Sequence, residues 1–148
     1  MIVVPIDRCA QVGEVRHRLY WSTMMVDSST APVMSYDARV RDQLRWAVGE
    51  FVGEVRVASS WASAMSFAGQ CRPVLAVLDF DNVSPQGRTY LARLLPARHG
   101  TRLIALGGVG ALDDAVRHGI RYGVEKPIDV QALLVQIDVV LSRITDSL

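Results

Sequence analysis

Asp79 ends an unbroken apolar run, Val74-Leu75-Ala76-Val77-Leu78, and Asp81 follows two residues later. Further on, Lys126 closes a second short apolar segment and is followed at once by Pro127. Two carboxylates and an ammonium at the ends of buried segments can meet a metal ion or a phosphoryl group. The first carboxylate would act as nucleophile or ligand, and the ammonium would neutralise developing charge. Such chemistry requires that separate segments of chain bring these residues to one place.

Five aliphatic residues without a polar break read as a strand buried on both faces, as in a parallel sheet covered by helices. The rest of the chain supplies the covering elements. Strands are expected over 32–36, 54–58, 73–79, 101–106 and 120–124. Helices are expected over 38–50, 61–68, 87–95, 112–118 and 128–144. The first helix carries Val40, Leu44, Ala47, Val48 and Phe51 on one stripe, and the last carries Val130, Leu134, Ile137, Leu141 and Ile144. Ser59 or Ser60 can cap the second helix and Gly69 end it, while Pro96 and Gly100 stop the third. Five alternating βα units predict a parallel sheet with helices on both faces, an α/β three-layer sandwich. In such sheets ligands meet the carboxyl ends of the strands, where Asp79 and Lys126 stand.

The chain has 148 residues, of which 50% are hydrophobic, enough for one domain with a full core. Its net charge of +1, with arginines scattered rather than massed, predicts no nucleic-acid or membrane partner. No apolar stretch is long enough to span a membrane, and the opening six residues are too short for a signal-peptide core. A cytoplasmic location is expected. Cys9 and Cys71 are far apart in different contexts, and free thiols are the expectation. His17, His99 and His118 have no metal-ligand spacing, and Trp46 and Trp61 are expected to be packing residues on helices.

The element order, together with Asp79, Gly87, Gly119 and Lys126-Pro127, resembles a response-regulator receiver domain over residues 31–146. That resemblance implies the flavodoxin-like (βα)5 fold, with a receiver-like domain over 31–148 and an N-terminal extension over 1–30. It also implies Asp79 as phosphoacceptor, Lys126 as the phosphoryl clamp, and a usually cis Lys-Pro peptide that turns the ammonium inward. A sensor histidine kinase or other signalling partner follows from the same likeness, in signal transduction or transcriptional regulation.

The departures from the family are as informative. The acidic pair that holds Mg²⁺ at the end of the first strand is replaced by Ser35 and Tyr36, with Asp37 just beyond. A hard dication needs several oxygen ligands and balancing carboxylates. Asp79 with Asp37 or Asp81 is therefore a weak candidate Mg²⁺ site. The switch hydroxyl is missing from Leu106-Gly107-Gly108. The switch aromatic position falls at Gly123, with Tyr122 one place early and so on the opposite face. These features predict a degenerate pseudo-receiver that is phosphorylated weakly or not at all at Asp79 and signals by protein contact.

The last helix has more apolar surface than one stripe needs, with Leu133, Val135, Val139 and Val140 off the stripe. A homodimer interface through this helix, centred on Val135 and Val139, is expected. A different class of function competes. Asp79-Phe80-Asp81 also resembles the DxD of haloacid-dehalogenase-type Mg²⁺-dependent phosphatases, but here it lies on the third strand rather than the first. Residues 1–30 are apolar enough to form a hairpin or helix, or else translation begins at Met24 or Met25. No DNA-binding output signature follows Ile144.

Overall fold

The computed structural model describes residues 30–146; the expectations for the N-terminal extension lie outside the described residues. Five parallel strands form one sheet: β1 (Thr30–Met34), β2 (Glu54–Ala58), β3 (Leu75–Asp79), β4 (Arg102–Gly107) and β5 (Tyr122–Glu125). Their spatial order is β2-β1-β3-β4-β5. The helices between and after them are α1 (Ala38–Gly49), α2 (Trp61–Cys71), α3 (Pro85–His99), α4 (Val109–Arg117) and α5 (Val130–Asp146). This is the flavodoxin-like α/β sandwich that the element order predicts.

Two cores lie on either side of the sheet. Alternation along β3 sends Leu75 and Val77 toward α1 and α5, where they meet Leu44, Val48, Leu133 and Ile137. Ala76 and Leu78 point the other way, toward Ala64 of α2, Leu91 of α3 and Ala111 of α4. β1 and β3 are buried along their whole length, mostly by apolar residues, with Thr30 opening β1 and Asp79 closing β3. β1 and β3 are neighbours in space although β2 separates them in sequence, so the strand order reverses between them. The crevice at their carboxyl ends is where a site is expected.

Several element ends differ from the expected ones for local reasons. α2 runs through Gly69, whose missing Cβ has no neighbour within 4 Å, and stops only at Arg72. Arg72 adopts a left-handed conformation (φ 49°) just before Pro73, which cannot continue a helix. α3 begins at Pro85 rather than Gly87: the Ser84 hydroxyl accepts the Gly87 N–H, and proline suits the first helical position. It then continues past Pro96 to His99, ending at Gly100 with φ 69°.

In α5 the buried residues are Leu133, Ile137, Val140 and Leu141, so the buried face is rotated from the expected stripe. Leu133 and Val140 are core, and of the apparent excess only Val135 is well exposed, with Val139 half-buried. Trp61 packs edge-on against Tyr90 (ring centroids 5.4 Å apart), whereas Trp46 is exposed rather than packed. Cys71 is disulfide-bonded, against the expectation of free thiols; Cys9 lies outside the described residues.

Gly87 is required by close packing. A Cβ there would stand 2.8 Å from Val83 Cγ1 and 3.0 Å from Trp61 Nε1. Gly87→Ala is expected to cost about 1–3 kcal/mol through overpacking, measurable by urea unfolding.

Candidate functional site

β3 delivers Asp79 to the switch point, where it is 1% exposed. Both of its oxygens are engaged. Oδ2 accepts the Ser35 hydroxyl at 2.6 Å and the Lys126 ammonium at 2.7 Å. Oδ1 accepts the backbone N–H of Asp81 at 3.0 Å, closing a tight turn. Ser35 follows the end of β1 and is itself fully buried, and its Oγ also accepts the Asp37 N–H. Sequence reasoning noted Ser35 only as a missing acid; the structure makes it the neutral partner of Asp79.

Lys126 follows β5, and its peptide with Pro127 is cis. Its Nζ lies 2.7 Å from Asp79 Oδ2 and 3.1 Å from Asp81 Oδ2. Partial burial disfavours the ammonium, but the two carboxylates outweigh it by hydrogen bonding and charge and hold its pKa above the ordinary 10.5. Asp81 shows the converse balance. Burial pushes its carboxyl up, yet the Gly108 N–H, the Lys126 ammonium and the Arg88 guanidinium together bring it below the ordinary 3.8.

Arg88, on α3, was not singled out by sequence reasoning because a lone arginine on a helix reads as solvated. Its Nε donates to the Phe80 carbonyl at 3.1 Å and its NH1 to Asp114 of α4 at the same distance. A second arginine, Arg41, donates to the Ser35 carbonyl at 2.9 Å. Beside Lys126 a cleft of about 450 Å³ opens, lined by Asp37, Arg39, Val40, Asp42, Lys126 and Pro127 among others.

As arranged, these residues do not fit a Mg²⁺ ion. Asp79 has both oxygens committed, one of them to an ammonium, and the Asp81 side chain is turned to Lys126 and Gly108. Asp37 caps α1 by accepting the Arg39 N–H and stays outside the Asp79 cluster. Among the described residues, no three His, Cys, Asp or Glu side chains are grouped to hold a metal. Tyr122 packs against the core shared with α1 and α5, while Gly123 faces Leu112 of α4.

No family model matches the sequence, and no curated protein does. Solved structures do. A CheY-like receiver domain protein from Methanospirillum hungatei superposes with a TM-score of 0.67 at 17% identity, over 80% of this chain and 97% of that one. The chain has the receiver fold. The receiver domain of NtrX from Brucella abortus gives 0.64 at 20% identity, over 76% and 98% of the two chains. A protein of Burkholderia pseudomallei provisionally linked to pilus assembly gives 0.64 at 17% identity, over 78% and 91%. Within this receiver fold Asp79 and Lys126 occupy the ends of the third and fifth strands. Among the described residues no helix is long and apolar enough to cross a membrane.

Proposed function

We propose that this chain is an atypical receiver domain in a signal-transduction or transcriptional-regulation system, one that works through protein contact rather than phosphorylation. The observation that supports this most directly is the burial of Asp79 together with the three hydrogen bonds that it already accepts. A nucleophilic carboxylate needs an approachable lone pair and a neutralising metal for the incoming phosphoryl group. Here the carboxylate is buried, carries three hydrogen bonds, and faces residues that do not fit Mg²⁺. The domain is not an enzyme in this reading. The phosphatase alternative loses support because Asp81, its would-be general acid, is held as a carboxylate by Lys126 and Gly108.

Intact-protein mass after incubation with acetyl phosphate and Mg²⁺ tests the proposal, with Asp79→Ala as control. The expected result is no phosphoryl adduct on the wild-type chain. An adduct that disappears in Asp79→Ala would establish a working phosphoacceptor and overturn the reading.

The partner is a signalling protein. A sensor histidine kinase is one such partner, and the Burkholderia neighbour's pilus-assembly link widens the class. A cytoplasmic location, without nucleic-acid or membrane binding by this chain, suits the near-neutral charge, although a disulfide at Cys71 is uncommon in a reducing compartment. Self-association through α5 belongs to the same proposal, with Val135 its outward apolar residue and Val139 at its margin. Val135→Glu is expected to shift mass by light scattering from dimer to monomer. An unchanged mass would exclude that face, and because Val135 is exposed the change leaves the core intact.

A further inference from the structure

Asp81 has more contacts than a turn residue needs. The turn after β3 is already closed by Asp79 Oδ1 and the Asp81 N–H, which leaves the Asp81 carboxylate free for other work. Its Oδ1 accepts the Gly108 N–H at 3.2 Å, and its Oδ2 lies 3.1 Å from Lys126 Nζ. Gly108 is the residue that opens α4, and it has no side-chain cap of its own. One carboxylate therefore ties the loops after β3, β4 and β5 together. The neighbouring glycine makes room for it. A Cβ on Gly107 would stand 3.2 Å from Asp81 Oδ1 and 2.8 Å from Ala111 Cβ.

We propose that the Asp81 carboxylate is a built-in anionic ligand, filling the seat between Lys126 and the amino end of α4 and holding that helix in one position without phosphorylation. An ammonium, a backbone N–H and the positive end of a helix together make a site for an anion. In this chain the anion is covalently supplied by the loop beside it. The same loop grips α4 a second time through Arg88, which links the Phe80 carbonyl to Asp114. The exposed Val109 and Val116 are carried on the helix so held. The inference rests on the reading that Asp79 is not the signalling switch. It fails separately from that reading, because the test reads protein never exposed to a phosphodonor.

The test is amide hydrogen exchange of Gly108 in the full chain, followed by NMR in wild type and Asp81→Ala. Loss of a charge-assisted acceptor is expected to speed exchange of that amide by about tenfold or more. Inorganic phosphate added to Asp81→Ala is expected to refill the seat and slow the exchange again. A Gly108 amide that stays within about twofold of wild type, or a gain in exchange that phosphate does not reverse, overturns the proposal. Asp81→Ser, whose hydroxyl is one bond shorter, gives the same comparison if the alanine variant does not fold.

Discussion

Lys126→Met is expected to lower the stability of the domain by about 3 kcal/mol at neutral pH, read as a shift in the urea midpoint. The loss is large because Asp79 cannot follow its partner into water. Its side chain is 2% exposed, and without the ammonium only the Ser35 hydroxyl and one backbone N–H remain to it. Lys126 retains 23% exposure, which places the effect at the lower end for a broken buried pair. Adding Asp79→Asn to Lys126→Met removes the stranded charge, so the double variant is expected to be more stable than the sum of the two losses.

The pH dependence follows from the two shifted groups. The Lys126 pKa is raised above 10.5 in the folded chain, so its contribution is complete below that value and is lost as pH climbs through the raised one. The Asp81 pKa is lowered below 3.8, so its contribution is present above 3.8 and is lost as pH falls through the lowered value. The gap between wild type and Lys126→Met is therefore expected to be flat through the neutral range. It narrows in strong base, where a neutral lysine no longer pairs with either carboxylate.

Phe80→Ala is expected to cost about 3–5 kcal/mol, again by urea unfolding. Phe80 is fully buried among Met34, Leu78, Val83 and Leu91 in the core under α2, α3 and α4. It also stands between Asp79 and Asp81, its N–H donating to the Leu106 carbonyl at 2.8 Å and its own carbonyl accepting from Arg88. The ring thus anchors the loop that presents both carboxylates. Phe80→Leu, which keeps most of the volume, is expected to recover most of the loss. Equal losses for the leucine and alanine variants would mean that the ring's volume is not what holds the loop.

The strands were legible because burial on two faces leaves a composition with few alternatives: Val74 to Leu78 and Leu103 to Leu106 have no polar face to present. Helix ends were less legible, since some signals point both ways. Ser84-Pro85 reads as a loop until the cap hydrogen bond is seen, and Gly108, which precedes α4, has its N–H bound by a carboxylate from another loop. In α5 nearly every position is apolar over two turns, so the stripe could be drawn through Leu134 when packing selects Leu133 and Val140. Asp79 and Lys126 were readable as a pair through strand order. The roles of Ser35, Arg88 and Asp81 depend on side chains meeting across 26 to 47 residues of chain, which local pattern does not carry.

Gly107 limits the substitutions open to this chain. A methyl group at that position would collide with Ala111 and crowd the Asp81 carboxylate, so a hydroxyl-bearing side chain does not fit there by a single substitution. Placing one there requires a smaller residue at position 111 and withdrawal of Asp81, and each of those steps alone gives up a contact the fold now uses. The bare backbone at Gly107 and the carboxylate of Asp81 therefore hold each other in place, and neither position can change alone without giving up a contact that the other supports.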